Sequence, residues 1–391
     1  MLKIDFNKTY LSGKENEYIT DALQRGSICG DGYYTARVSE FLEEKFDLNR
    51  VLMTTSATHA LEMAAQLIGL KTGDEVIMPS FTFSSTANAV LKEGARPVFA
   101  EIKRNSFNLD PADFESKITS KTKAVIPVHY AGISCEMDLI REIAAKNDIY
   151  VIEDAAHAVN SFYNGEPAGG MGDFGCYSFH GSKNFVSGEG GALVINSQQQ
   201  KLIQKAEVIR EKGTNRSRFL RGEIDKYSWV GEGSSYLPSD ILMALLFAQL
   251  QEIDYITAQR KRVFDYYNQN LKKFLDENFL DLLPVAAAAK KSNYHIYYLK
   301  FKNQKIRDFV LKELKARGIE AAFHFQPLHA SPMGKKLGYQ AEDLQLTNQV
   351  ASSLLRLPIY PELSRRELDY IIQALEEIFC SLNRQVEEVN D

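Results

Sequence analysis

The sequence has 391 residues, of which 45% are hydrophobic and 25% are charged, and its net charge is -5 at pH 7. This is the composition of a globular protein long enough for two domains, without the basic excess of nucleic-acid-binding proteins. No run of about 18 apolar residues predicts a membrane span, and the polar N-terminus lacks the apolar segment of a signal peptide. We therefore expect a cytoplasmic protein without metal sites and with reduced thiols, since its cysteines form no C-x-x-C pair: Cys29, Cys135, Cys176 and Cys380.

Between residues 51 and 196, short apolar runs alternate with helical patterns. Nearly continuous apolar strands in such an alternation indicate a parallel sheet with helices on both faces, an α/β domain. Ligands of such domains bind beyond the carboxyl ends of the strands. The predicted elements are a strand over 75–83 that runs into a loop, a helix over 84–95, strands over 96–102 and 123–132, a helix over 136–147 and a strand over 149–156.

After about residue 240 the pattern changes to that of a smaller α+β domain. We expect a large domain over residues 1–245, which includes an N-terminal arm, and a small C-terminal domain over 246–391. The predicted elements are one or two long helices over 239–277 capped by Ser239, a surface loop over 284–292, strands over 294–301 and 319–325, a helix over 306–318 and a helical tail from 364.

The segment "TTSATHALEMAAQLIGL" (54–70) places three hydroxyl residues directly before an apolar-periodic helix. Hydroxyls and free N–H groups at a helix N-terminus can bind an anion such as phosphate, although an ordinary helix cap has the same appearance. The segment does not match the phosphate-binding loop G-x-x-x-x-G-K-[ST].

Two acids, Glu153 and Asp154, end the apolar strand of "VIEDAAHA" (151–158). A carboxylate at the end of a buried strand is partly desolvated and costs free energy unless it is paired. It could cap a following helix, or it could pair with a cationic ring nitrogen.

Lys183 stands in "CYSFHGSKNFVSGEGG" (176–191), between aromatic residues and a glycine-rich turn. A lysine amine attacks carbonyls only when neutral, so a catalytic lysine needs a lowered pKa, which burial beside Phe179 and Phe185 would supply. The order of a phosphate site, an aromatic residue (Phe83), a strand-end acid and this lysine fits pyridoxal 5'-phosphate (PLP). That cofactor needs a phosphate cradle, a stacking face, a carboxylate for its ring nitrogen and a lysine for its aldehyde.

Five motifs resemble the DegT/DnrJ/EryC1/StrS family of sugar-nucleotide aminotransferases over about residues 10–375: "TTSATHALEMA", "GDEVIMPSFTFSSTANA", "PVHYAG", "VIEDAAHA" and "CYSFHGSKNFVSGEGG". The resemblance implies the aspartate-aminotransferase-like fold (fold type I), a large, mostly parallel sheet domain and a smaller α+β domain. It also implies a homodimer with active sites at the interface.

The resemblance also implies residue roles. Lys183 would bond the PLP aldehyde, and Asp154 would pair with the ring nitrogen. The other implied cofactor contacts are Phe83 and Ala156 against the ring, His157 at the ring hydroxyl or phosphate, and Ser56, Ala57 and Ser178 at the phosphate.

One segment departs from the family pattern. In "GSSYLPSD" (233–240), Ser235 stands where many members have an asparagine that reaches the neighbouring subunit's phosphate, and Leu237 stands where they have an arginine. We keep Ser235 as a cofactor contact. The donor carboxylate then needs another partner, and Arg216 and Arg218 are candidates because an arginine fork suits a carboxylate.

Several further residues are candidates for the substrate site, each with an ordinary structural alternative. Gly30 and Asp31 lie in "GDGYYT", which could be a simple turn, and His180 could contact the sugar or orient the lysine. For His324 and His329 a structural role is the default, and His329 is retained as a substrate candidate. The basic stretch 210–226 could be a solvated loop or a patch for phosphate or carboxylate groups.

Four segments narrow the implied activity: "CGDGYYT", "VHYAGISCEMD", "REKGTNRSRFLRGEIDKYSW" and "GSSYLPSD". They are similar to family members that transfer the amino group of L-glutamate to C4 of dTDP-4-dehydro-6-deoxy-D-glucose in enterobacterial common antigen synthesis. Amination at C3, or of GDP- and UDP-sugars, stays open. A PLP sugar dehydratase would carry histidine in place of Lys183, and the complete cofactor set argues against a non-enzymatic relative.

Overall fold

The computed structural model describes residues 2–275, 279–284 and 289–390, with the side chains of the last helix described as far as Asn383. In these residues the strands are β1 Arg50–Thr54, β2 Glu75–Pro79, β3 Arg96–Ala100, β4 Thr122–Val125, β5 Tyr150–Asp154, β6 Phe162–Tyr163, β7 Glu166–Pro167, β8 Phe174–Ser178, β9 Gly191–Ile195, β10 Leu280–Leu282, β11 Lys290–Lys291, β12 Tyr297–Phe301 and β13 Leu354–Leu357.

The α-helices of the same residues follow the strands in the large domain and frame the smaller sheets. They are α1 Glu15–Gln24, α2 Tyr33–Phe46, α3 Ala57–Leu67, α4 Ser84–Lys92, α5 Pro111–Ser116, α6 Met137–Lys146, α7 Gln200–Arg210, α8 Arg216–Leu220, α9 Asp240–Gln251, α10 Ile253–Leu271, α11 Gln304–Ala316, α12 Pro332–Lys336, α13 Gln345–Ser353 and α14 Arg365–Asn390.

The large sheet has seven strands in the order β1-β9-β8-β5-β4-β2-β3. Strand β9 runs antiparallel to both of its neighbours, whereas the other six strands are mutually parallel. Buried side chains pack on both faces of this sheet, which explains the nearly continuous apolar strands of the sequence. The carboxyl ends of the parallel strands therefore meet at one edge, where the sequence places its candidate site residues.

Most predicted elements are confirmed, with ends that differ by a few residues. Ser239 caps α9 by accepting a hydrogen bond from the Ile241 N–H. The predicted long helix over 239–277 is two helices, because the chain leaves helical geometry at Glu252 between α9 and α10.

Two predictions in the C-terminal part need correction. The stretch 319–325 is not a strand: Ile319 and Ala322 each form one isolated bridge, with Ile4 and Arg356 respectively. The predicted loop over 284–292 includes β11, which pairs with β6, and its residues 285–288 lie outside the described residues.

Two apolar cores bear on the domain division. Helix α9 and the start of α10, through Ile256, pack into the core of the large sheet. From Val263 onward the side chains of α10 pack with β12, β13 and α14, and Ile4 of the N-terminal arm joins them. The division after residue 245 stays a prediction, and this packing favours a change of domain within α10.

No single helix of the described residues has the length and apolar composition to cross a membrane. Helix α9 and the adjoining helical segment Ile253–Phe274, bent by 63°, pass that test together by length and composition alone.

Candidate active site

A cavity of about 410 Å³ lies at the carboxyl edge of the large sheet. Its walls come from segments that follow β1, β2, β4, β5 and β8, together with the N-terminal arm and the smaller domain. The lining residues include nine of the predicted site residues: Ser56, Ala57, Phe83, Asp154, Ala156, His157, Ser178, His180 and Lys183.

The N-terminus of α3 forms one wall of this cavity. The Ser56 side chain caps the helix by accepting a hydrogen bond from the His59 N–H at 3.2 Å. Gly191 packs against the start of α3, because a Cβ there would overlap backbone atoms of Ser56 and Ala57. The cavity is thus open to a helix N-terminus whose first N–H groups can receive an anion.

The two strand-end acids face opposite sides of β5, as alternation along a strand requires. Glu153 is fully buried away from the cavity and accepts hydrogen bonds from the N–H groups of Gly169, Met171 and Gly172 at 2.6–2.8 Å. His129 also contacts Glu153, at 2.8 Å, so His129 belongs to the core and not to the substrate site.

Asp154 lines the cavity and is 6% exposed. Burial raises the pKa of its carboxyl, whereas hydrogen bonds from Thr86 to Oδ2 (2.7 Å) and from the Ala156 N–H to Oδ1 (3.2 Å) oppose that rise. Residues 156–157 and 159–160 form turns and no helix follows β5 directly, so the alternative that Asp154 caps a helix is wrong. Thr86 was not predicted from the sequence, where its only signal is a hydroxyl in the first turn of α4.

Lys183 lies in the turn between β8 and β9, and its amine faces the same cavity. Burial lowers the pKa of Lys183 to about 8; the Asp154 carboxylate opposes this shift and the Arg356 guanidinium adds to it. A substantial fraction of the amine is therefore neutral near pH 8, as nucleophilic attack on a carbonyl requires.

Phe83 presents an apolar surface to the cavity. It immediately precedes α4, and it is 63% exposed although it is a large aromatic residue. Ser178, at the end of β8, supplies a hydroxyl to the cavity wall and is 6% exposed. Together with the α3 N-terminus, these residues give the cavity an aromatic face and an anion site.

Three histidines pack together at the boundary with the smaller domain. The ring centroids of His157 and His295 are 4.5 Å apart, and those of His157 and His324 are 6.0 Å apart. Burial lowers the pKa of His324 to about 2 and holds the pKa values of the other two well below their ordinary value. The three rings are therefore neutral. We expected a structural role for His324, and the structure places it in the cavity wall.

Arg356 of β13 also lines the cavity, and sequence analysis missed it. Its available signal was a single cation within the apolar strand Leu354–Leu357.

Besides His329, five predicted site residues do not line the cavity of this single chain: Gly30, Asp31, Arg216, Arg218 and Ser235. Asp31 is paired with Arg210 at 2.7 Å, and Arg216 and Arg218 lie 3.8 and 3.0 Å from Glu211 and Glu223. The basic stretch 210–226 thus has many of its charges balanced by acids. The site roles of these five residues stay predictions.

His329 requires a correction. Its side chain is fully buried, with Nδ1 2.7 Å from the Ser80 hydroxyl and Nε2 3.2 Å from the Ala341 carbonyl. Both ring nitrogens are occupied within the core, so His329 is a structural histidine and the prediction that it binds substrate is wrong.

Comparison with known proteins gives concordant results. Residues 10–376 match the sequence model of the DegT/DnrJ/EryC1/StrS aminotransferase family. GDP-perosamine synthase of Caulobacter vibrioides is 32% identical over 370 residues, which cover 94% of this chain and 96% of that protein. Spore coat polysaccharide biosynthesis protein SpsC of Bacillus subtilis is 32% identical over 382 residues, covering 94% and 95%.

Two solved structures illustrate the similarity of fold. Spr1654 of Streptococcus pneumoniae in its PLP-form superposes with a TM-score of 0.89 at 26% identity and covers 96% of this chain and 98% of its own. PseC of Helicobacter pylori, an aminotransferase involved in the biosynthesis of pseudoaminic acid, superposes with a TM-score of 0.89 at 25% identity and covers 97% of this chain and 100% of its own.

Proposed function

The chain belongs to the DegT/DnrJ/EryC1/StrS aminotransferase family, and on this premise we propose that it transfers the amino group of L-glutamate to C4 of dTDP-4-dehydro-6-deoxy-D-glucose. The products are dTDP-4-amino-4,6-dideoxy-D-galactose and 2-oxoglutarate. At the coarser level, the chain is a PLP-dependent sugar-nucleotide aminotransferase of fold type I.

The observation that carries this function is that Lys183 and Asp154 line the same cavity. A lysine whose pKa is lowered to about 8 shares a cavity with a buried carboxylate. Such perturbed groups in a common cavity are typical of catalytic sites.

The residues of the cavity fit PLP. The α3 N-terminus with Ser56, together with Ser178, would hold the phosphate, and Phe83 offers its exposed ring as a stacking face. The Nδ1 atom of His157 is buried and has no hydrogen-bond partner among the described residues, so it is free for a polar atom of the cofactor.

When bound, PLP supplies an aldehyde carbon for the amino group and a cationic ring that stabilises negative charge on the substrate carbon. Asp154 is held by hydrogen bonds from Thr86 and the Ala156 N–H, and its carboxylate would hold the ring nitrogen of PLP and favour the positive charge of that nitrogen. Lys183, as a neutral amine, can take a proton from the substrate carbon and later return it.

The four segments named above support the dTDP-linked substrate. The 32% identity with a GDP-perosamine synthase favours a second candidate, a GDP-linked keto-sugar. Both candidates use the same cavity chemistry and differ in the nucleotide and the sugar that are bound.

A panel of keto-sugars tests the proposal. Purified enzyme is incubated with L-glutamate and each of the TDP-, UDP- and GDP-4-keto sugars and a TDP-3-keto sugar, and the stereochemistry of each product is determined by NMR. We expect amination at C4 of the TDP-linked sugar. Reaction of the GDP compound alone would favour the second candidate, and reaction of the 3-keto compound alone would contradict C4 amination.

A cytoplasmic homodimer with active sites at the subunit interface is part of the proposal. It rests on the family resemblance, in which the position of Ser235 reaches the neighbouring subunit's phosphate, and Ser235 is exposed and lies outside the cavity of its own chain. Light scattering coupled to gel filtration tests the dimer, and a monomer that is fully active would contradict the shared site.

A further inference from the structure

A second, smaller cavity of about 120 Å³ adjoins the first. The two cavities share the side chains of Phe6, His157, Lys183, His324 and Arg356 in their walls, so the smaller one opens beside the lysine amine. A volume of this size accommodates part of an amino acid and is far too small for a nucleotide.

The smaller cavity is positively charged. Its lining includes the guanidinium groups of Arg260 and Arg356, besides the Lys183 amine, and no aspartate or glutamate. The nearby histidines are neutral because burial lowers their pKa values. Buried cations without a counter-ion cost free energy, so a site of this kind is favourable when an anion enters it.

Arg260 and Arg356 differ in how many of their N–H donors already form hydrogen bonds within the protein. Arg260 donates from Nε to the Tyr294 carbonyl at 3.1 Å and from Nη2 to the His295 carbonyl at 2.7 Å, and so holds the chain in place. Arg356 donates from Nη2 to the Phe323 carbonyl at 3.3 Å, and its buried Nε has no partner among the described residues. Arg356, which lines both cavities, therefore keeps an unpaired donor, Nε, for a ligand.

The position of Arg356 is fixed from two sides. Its backbone belongs to β13, where it pairs with Tyr298 and forms a bridge with Ala322. Its guanidinium lies over the Phe6 ring, with Cζ 4.8 Å from the ring centroid. A planar fork held in this manner loses little further freedom when it binds a carboxylate through two hydrogen bonds.

We propose that Arg356 binds the α-carboxylate of the L-glutamate donor, an inference that rests on the proposed function. The α-carboxylate is attached to the carbon whose proton Lys183 removes, so it must lie close to the lysine, as Arg356 does. The diphosphate of the sugar nucleotide is separated from its reacting carbon by the sugar ring. This assignment replaces Arg216 and Arg218, which are paired with acids outside the cavity.

Arg356→Gln and Arg356→Lys test the assignment. The half-reaction with L-glutamate and the half-reaction with the nucleotide amino sugar are measured separately, through the absorbance change of the bound cofactor. With Arg356→Gln we expect kcat/KM for L-glutamate to fall at least about 100-fold, since a charge-assisted, two-point contact is lost. We expect kcat/KM for the nucleotide amino sugar, in the reverse half-reaction, to stay within about 3-fold of wild type. Arg356→Lys should recover part of the glutamate reaction, because it keeps the charge without the fork.

Binding gives a readout independent of turnover. Glutarate, an unreactive dicarboxylate, is titrated calorimetrically into cofactor-loaded wild type and each variant, and Arg356→Gln should lose its affinity. The exposed Arg366 provides the matched control, and Arg366→Gln should behave as wild type. Thermal unfolding followed by circular dichroism establishes that each variant is folded. If Arg356→Gln does not fold, the same measurements are made on Arg356→Lys.

Three outcomes would overturn the assignment: an unchanged glutamate reaction in folded Arg356→Gln, an equal loss in both half-reactions, or a loss confined to the sugar nucleotide. A glutamate-specific defect in Arg216→Gln or Arg218→Gln, with Arg356→Gln unaffected, would restore the earlier candidates. Failure of the proposed function is distinguishable, because wild type itself would then show no cofactor absorbance change with glutamate.

Discussion

Thr86 donates a 2.7 Å hydrogen bond from its hydroxyl to Oδ2 of Asp154. This bond favours the ionised form of a carboxyl whose pKa is raised by burial. Thr86 is fully buried, and its hydroxyl also lies 2.8 Å from that of Thr82, so the donor is held in place. The state of Asp154 thus depends on a helix residue 68 positions earlier in the chain.

Replacing Thr86 with valine removes this donor while keeping the shape of the side chain. A hydrogen bond to a charged group contributes about 1.5–3 kcal/mol, so the pKa of Asp154 should rise by about one unit or more. Asp154 would then be protonated at a higher pH, and the acid limb of the kcat/KM profile should shift upward by a similar amount.

The matched control is Thr119→Val, which removes a 2.7 Å hydroxyl bond to the exposed carboxylate of Glu75. Its pH profile should be that of wild type. An acid limb that stays in place in Thr86→Val would show that this bond does not govern the ionisation of Asp154.

The lowered pKa of Lys183 predicts how cofactor loading depends on pH. The amine attacks the PLP aldehyde only when neutral, and with a pKa of about 8 its neutral fraction rises about 50-fold from pH 6 to pH 8. The rate at which cofactor-free enzyme gains the absorbance of the covalent product should rise accordingly and level off above about pH 9. The reaction of PLP with N-acetyl-lysine methylamide, whose amine has the ordinary pKa of 10.5, is the reference, and its rate should still be rising above pH 9. Lys183→Arg should give no covalent product.

Asp154→Asn refines this experiment. The Asp154 carboxylate raises the pKa of Lys183, opposing the effect of burial. Its removal should therefore shift the loading curve to lower pH. A loading midpoint near 10.5, the ordinary lysine value, would contradict a buried amine.

Gly191 is expected to be essential for the anion site at the start of α3. A Cβ at this position would overlap backbone atoms of Ser56 and Ala57, so Gly191→Ala must displace the helix N-terminus. Displacements of about 1 Å at a binding site can cost about 100-fold, and we expect the Kd for PLP to rise by about 10- to 100-fold. Equilibrium dialysis of cofactor-free enzyme measures this change.

Gly231→Ala is the corresponding control. The nearest atom to its added Cβ is Val208 Cγ1 at 3.6 Å, an ordinary contact, and Gly231 does not line the cavity. Its Kd should match that of wild type. Equal losses in the two variants would point to a general effect of removing glycine.

The central pair of the site could be predicted from the sequence. In a parallel sheet the strand ends converge, so an acid at the end of one strand and a lysine after another are expected at one edge. The flanking glycines and aromatics of Lys183 indicated a dry site, and its lowered pKa agrees with that indication. The local sequence pattern and the order of the strands were together sufficient to predict that Asp154 and Lys183 share a site.

The rest of the site depends on contacts that no local pattern records. Arg356 reaches the cavity from the middle of an ordinary apolar strand. His324 and His329 occur five residues apart in one motif, yet the first lines the cavity and the second is bonded within the core. The apolar pattern of 319–325 predicted a strand, but hydrogen-bond partners exist only at isolated positions.

Glu153 provides a test of stability separate from catalysis. Both of its carboxylate oxygens accept hydrogen bonds, and its four donors are the N–H groups of Gly169, Met171 and Gly172 and the ring of His129. Glu153→Gln would direct an amide N–H₂ at these donors and leave at least one of them unsatisfied. We expect the free energy of unfolding to fall by about 3 kcal/mol, measured by urea denaturation.

Glu166→Gln removes a carboxylate from an exposed pair with Arg141, and it should change stability by less than about 1 kcal/mol. Because Glu153 faces away from the cavity, the kcat of folded Glu153→Gln should remain within about 3-fold of wild type. A stable variant with a large loss of kcat would contradict a purely structural role for Glu153.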